Sequence, residues 1–106
     1  MKASKIINIK SNKPYDVYIG RANRIYRLPS SIWANPFQIG RDGSRQEVLW
    51  KYRKYLISRP DLMYKLQELR GKTLACWCKP DGCHGDILLG LLRDRESEKE
   101  DIRLRV

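Results

Sequence analysis

The strongest constraint in this chain is the stretch Lys72 to Asp86, KTLACWCKPDGCHGD, which holds all three cysteines and the only histidine. It opens as a short apolar run, passes through a Lys-Pro-Asp-Gly turn, and leaves it as Cys83-His84-Gly85-Asp86 ahead of more aliphatic residues. Thr73 to Cys78 reads as a buried strand, and Ile87 to Arg93 as part of an amphipathic helix. Thiols and imidazole would then gather between a strand's carboxyl end and a helix amino end. Sheets with helices packed on them bind ligands along that edge.

The rest of the chain is punctuated clearly. Lys5 to Lys10 alternates as a first strand, Ser11-Asn12-Lys13-Pro14 is a turn, and Asp16 to Gly20 is a second strand. Gly20 permits a bend that would present Arg21 at the strand end. Arg21, Arg24 and Arg27 then recur at every third position. Leu28 to Gly43 is irregular and contains Trp33-Ala34-Asn35-Pro36-Phe37, whose large aromatics must pack against the body of the domain. The Asn-Pro pair sets a turn that would fix the direction of the Asn35 amide.

Two helices follow. Ser44-Arg45-Gln46-Glu47 has the form of a capping box. Val48, Leu49, Tyr52, Tyr55 and Leu56 make a helical apolar stripe behind it. Pro60 suits the first turn of the second helix, Leu62, Met63, Leu66 and Leu69 face inward, and Gly71 is placed to end it. From Asp94 the sequence is too charged to bury. It frays, or Ile102 to Val106 adds an edge strand. Strand, strand, loop, helix, helix, strand, helix predicts an α/β or α+β fold. Three to four strands would pack against about three helices in a Rossmann-like sandwich. Residues 1–94 are expected as a single domain and 95–106 as a charged tail.

Charge and cysteine usage narrow the setting. Net charge is +10, and the excess lies entirely before Pro60: thirteen Lys or Arg stand there against Asp16, Asp42 and Glu47, whereas the remainder balances. This asymmetry suits a polyanionic partner or an anionic ligand, as well as a simply basic surface. Three cysteines within eight positions do not make a disulfide framework. No apolar run approaches membrane-spanning length and Met1 to Lys13 does not read as a signal peptide, so the expectation is a cytoplasmic protein with no membrane partner.

Three readings compete for the cysteine and histidine cluster. Zinc could be held by Cys76, Cys78, Cys83 and His84, a closed structural set, although C-x-C is tighter than the usual C-x₂₋₄-C. A small-molecule site could use His84 as acid or base with Cys83 or Asp86, beside free amides that suit a phosphate. Asp86 would orient His84 only if His84 lies in the turn. In the third reading Cys76 is a buried small hydrophobe and His84 a cap.

DVYIGR, WANPF and ELRGKTLACWCKPDGCHGDILL together resemble the family known as domain of unknown function 4326, short proteins of bacteria, archaea and their viruses. The likeness spans roughly residues 15 to 92. It carries no activity, but implies that Trp33, Asn35, Pro36, Phe37, Cys78, Pro80, Cys83, His84, Gly85 and Asp86 belong to one site. The expectation is a nucleotide- or nucleic-acid-directed protein with a pocket between the NPF loop and the Cys-His-Gly-Asp turn. Arg21 and Arg41 would hold anionic groups, and Trp33, Asn35, Phe37, Cys78 and Gly85 would contact the ligand. His84, Cys83 and Asp86 would carry any chemistry. The alternatives are a zinc-stapled nucleic-acid-binding module without catalysis, or a viral accessory protein that sequesters a host component.

Overall fold

The computed structural model describes residues 4–79 and 81–104, with side chains described as far as Asp94. Strands β1 (Lys5–Asn8), β2 (Val17–Tyr18) and β3 (Thr73–Cys76) form one parallel sheet in the order β1-β3-β2. β3 lies between the other two. Lys5 pairs with Thr73 and Asn8 with Cys76 on one side, Val17 with Leu74 and Tyr18 with Ala75 on the other. A central parallel strand whose residues are covered on both faces reads as a continuous apolar run, as β3 does. Leu74, Ala75 and Cys76 are all fully buried.

The strands are shorter than their sequence patterns. Lys5–Lys10 ends as a strand at Asn8, whose side chain caps a 3₁₀ turn over Ile9–Ser11. Asn12 follows in the left-handed region. With strands only two to four residues long, residues 9–16 suffice to return the chain for the second parallel strand.

The crossover from β2 to β3 carries α1 (Arg45–Ile57) and α2 (Pro60–Lys65), with a 3₁₀ turn over Leu66–Leu69. Both bonds of the capping box at α1 form: Ser44 Oγ accepts from the Glu47 amide and Glu47 accepts from the Ser44 amide. Helix α3 runs His84–Leu104. It begins at the histidine itself and continues past Asp94, where fraying or an edge strand was expected. Glu, Lys, Arg and Leu dominate that stretch, and they are strong helix formers. Residues 105 and 106 lie outside the described residues.

One core joins Ile6, Val17, Ile19 and Leu74 to Tyr52 and Leu56 of α1, Leu62 of α2, and Leu88, Leu91 and Leu92 of α3. Close approach at the amino end of α3 depends on Gly85. A Cβ there would lie 2.7 Å from Ile6 Cδ1 and 3.0 Å from Ile19 Cδ1. No helix among the described residues is long and apolar enough to cross a membrane.

Candidate functional site

The carboxyl ends of β2 and β3, the loop after β2 and the amino ends of α1 and α3 meet around one open cavity of about 560 Å³. Gly20, Arg21, Ala22 and Asn23 line it after β2; Asn35, Phe37, Gln38 and Ile39 come from the loop. Arg45, Val48 and Leu49 come from α1, and Trp77, Cys78, Gly82 and His84 from the turn after β3. Asn35 and His84, 49 positions apart in sequence, therefore face the same space.

The WANPF loop is held by its own polar groups. Asn35 Oδ1 accepts from the Phe37 amide at 2.9 Å, the local turn that an Asn-Pro pair favours. Its Nδ2 donates to the Val48 carbonyl of α1 at 3.3 Å. Arg21 donates to the carbonyls of Asn35 (2.8 and 3.2 Å) and Phe37 (2.9 Å), so the arginine expected to hold an anion braces the loop. Arg41 lies outside the cavity, paired with Asp42 at 2.8 Å and donating to the Pro36 carbonyl. Trp33 also lies away from it: its ring is core, and its carbonyl accepts from the buried Tyr52 hydroxyl at 2.7 Å. Burial pushes the Tyr52 phenol well above its ordinary pKa, with Tyr55 and Cys83 adding to the effect, so the hydroxyl stays a donor. Phe37 lines the cavity and meets Tyr55 edge to face.

The opposite wall is built by the turn after β3. Asn8 donates through Nδ2 to the carbonyls of Trp77 (3.2 Å) and Lys79 (2.7 Å), tying the turn to β1. The Trp77 indole donates to the Tyr18 hydroxyl at 2.6 Å, and that hydroxyl donates to the Arg21 carbonyl at 2.5 Å. Pro80 lies outside the described residues. Asp86 closes the turn rather than orienting the histidine. Its carboxylate accepts from the Cys83 amide at 3.1 Å and pairs with Lys79 at 2.7 Å. Gly85 is the packing glycine described above and does not line the cavity.

His84 is 8 % exposed, and its Nε2 lies 2.7 Å from the Ile19 carbonyl oxygen. Its ring meets Tyr52 edge to face, and its Nδ1 is 3.7 Å from Cys83 Sγ. The three thiols crowd together beside it. Cys76 first, then Cys83 and His84, hold the Cys78 thiol far below its ordinary range despite partial burial. Cys76, then Cys78 and burial, push Cys83 far up; Cys76 is raised chiefly by Cys78. Of the three thiols, Cys78 is the one that borders the cavity. Cys83 is fully buried and does not line it. The Cys78, Cys83 and His84 ligand atoms lie within 4.8 Å of one another, a set that could hold a metal ion; Cys76 lies outside that set.

Asn23, Gln38, Ile39, Arg45 and Trp77 line the cavity without having been expected there from the sequence, and Arg45 is the cation among them. It was absorbed into the capping box, yet its position directly after the cap aims it across to the other wall. Its Nη1 donates to the Gly82 carbonyl at 2.8 Å, with Asp81 3.9 Å from Nη2.

A family model described as a domain of unknown function (DUF4326) matches residues 6–94. An uncharacterised protein, R718, of Acanthamoeba polyphaga mimivirus is 40% identical over 108 residues, covering 88% of this chain and 82% of its own. An uncharacterised 12.4 kDa protein in the nrdA-td intergenic region of Enterobacteria phage T4 is 34% identical over 89 residues, covering 79% of this chain and 72% of its own. No solved structure matches the chain.

Proposed function

The chain belongs to the DUF4326 family of domains of unknown function, and from that premise we propose that it is a nucleotide-binding protein whose ligand occupies the cavity between the NPF loop and the Cys-His-Gly-Asp turn. The observation that carries this reading is the composition of the cavity wall. Two aromatic side chains, Phe37 and Trp77, and the aliphatic Ile39, Val48 and Leu49 offer a place for a planar ring. Gln38 and Asn23 bring side-chain amides and Arg45 a cation. A mostly apolar pocket of a few hundred Å³ with a few polar groups suits a ligand with a flat apolar body and an anionic end. Its position, outside the carboxyl ends of parallel strands, is where such sheets hold nucleotides.

In this reading Arg45 meets the phosphate and the aromatic pair flanks the base. Arg21 and Asn35 hold the loop in shape, and Cys78 and His84 form the floor. The basic first half of the chain adds a field that draws an anion inward.

Equilibrium dialysis against a panel of nucleoside monophosphates and triphosphates tests the proposal. Arg45→Ala should weaken binding about tenfold, the loss of one charge-assisted hydrogen bond. Arg41→Ala, outside the cavity, should leave it unchanged. Absence of binding across the panel at millimolar ligand, or equal effects of the two substitutions, would overturn the reading.

A further inference from the structure

The floor of the cavity carries a second inference, which stands whatever the cavity binds. We infer that Cys78, Cys83 and His84 form a three-ligand site for a divalent metal of the zinc class, with its remaining coordination position open to the cavity.

The three ligand atoms lie within 4.8 Å of one another. Cys83 Sγ and His84 Nδ1 are 3.7 Å apart. Sulfur and nitrogen ligands of a tetrahedral zinc, at about 2.3 and 2.0–2.1 Å from the metal, stand roughly 3.5 Å from each other. A contraction of a few tenths of an ångström would bring this pair to that spacing.

The second observation concerns the histidine alone. Its Nε2 lies 2.7 Å from the Ile19 carbonyl oxygen, which can only accept. Nε2 therefore carries a proton, and in the neutral ring Nδ1 keeps its lone pair toward the thiols. Metal-bound histidines are held this way, with the outer nitrogen donating to a carbonyl so that tautomer and ring orientation are fixed. The Gly85 amide donates to Cys83 Sγ at 3.3 Å, a bond that favours a thiolate there once metal displaces the proton.

Burial sets the number of protein ligands. Cys83 and His84 are buried and Cys78 half-buried. Cys78 and His84 border the cavity, and Cys83 lies behind them. Cys76, which the spacing offered as a fourth ligand, touches the other thiols but falls outside the set of mutually close donors. Four protein ligands would make a closed structural site. Three leave a position for water or for a donor atom of a bound ligand, the arrangement of catalytic zinc sites.

The test uses the full chain without an affinity tag, and no nucleotide, so its outcome is separate from that of the pocket reading. After removal of metal, cobalt(II) is added and the absorption spectrum recorded before and after azide. The expected result is a thiolate-to-cobalt charge-transfer band with visible bands of a four-coordinate ion, the latter shifting as azide takes the open position. Cys78→Ser and Cys83→Ser should lose the charge-transfer intensity in part or whole, and Cys76→Ser should retain it. No thiolate band in the wild-type protein would overturn the inference. So would a spectrum indifferent to azide, or loss of metal in Cys76→Ser, either of which describes a closed site.

Discussion

His84 Nε2 sits 2.7 Å from the carbonyl oxygen of Ile19, joining the first residue of α3 to the residue just beyond β2. This bond closes the gap between the sheet's carboxyl edge and the helix that packs on it, and it sets the floor of the cavity. Removing it leaves a buried carbonyl without that partner. His84→Ala, melted with a chelator present so that metal binding does not contribute, should be destabilised by about 1–3 kcal/mol. A change within experimental error would show that the bond is dispensable to the fold.

Gly85 sets how closely that helix approaches. Gly85→Ala places a methyl 2.7 Å from Ile6 Cδ1 and 3.0 Å from Ile19 Cδ1. The expected loss is about 1–3 kcal/mol by overpacking. Adding Ile6→Val removes the nearer offending atom and should recover part of it. Denaturant unfolding of the single and double variants measures both steps, and a double variant no more stable than Gly85→Ala would contradict the packing account.

The helix signals and the apolar stripes were legible in the sequence because they are local. Ser44 and Glu47 form their reciprocal cap, and Tyr52, Leu56, Leu88 and Leu91 face the core as their spacing requires. Polar roles were harder, since a side chain's partner depends on the loop that folds over it. Arg21 was expected to meet an anion and instead braces the loop through the Asn35 and Phe37 carbonyls. Asp86, expected to share any chemistry with His84 and to orient it only from a turn, bonds Lys79 and the Cys83 amide. Trp33 was expected at the site together with Phe37, but only Phe37 lines the cavity, and Trp33 is buried in the core. Arg45 was hidden by being part of a cap.

Arg21 gives the loop its shape, so its loss should be felt in the cavity. Arg21→Ala should cost about 1 kcal/mol of stability, because the arginine is exposed and its bonds compete with water. Arg21→Lys should not rescue, since one ammonium cannot reproduce the fork that spans two carbonyls. Thermal melts of both variants check this; full recovery by lysine would mean that charge alone matters.

Acid should weaken the fold around the start of α1. Hydrogen bonds from Arg41 and the Gln38 amide hold Asp42 below its ordinary 3.8, and bonds from the Ser44 amide and hydroxyl hold Glu47 below 4.5. A carboxylate depressed in the folded state stabilises fully above its unfolded pKa, and that contribution is lost as pH falls through the folded value. Melting temperature should therefore stay level from neutrality to about pH 5 and decline below about 4.5. Glu47→Gln should shallow that decline; an unchanged slope would remove Glu47 from the account.

The basic excess before Pro60 should give weak binding to single-stranded oligonucleotides regardless of sequence. Affinity should fall steeply and linearly on a logarithmic salt scale. Fluorescence anisotropy at low and moderate salt measures it, and no binding at low salt would leave this half of the chain merely basic.

The central claim is that the space shared by Asn35 and His84 holds a nucleotide, and amide chemical-shift mapping during nucleotide titration tests it most directly. The account predicts saturable shifts grouped at Gly20 to Asn23, Asn35 to Ile39, Arg45 and Trp77 to His84, together with the Trp77 indole N–H. Shifts grouped on the outer surfaces of α1 and α2, or none at millimolar ligand, would contradict it.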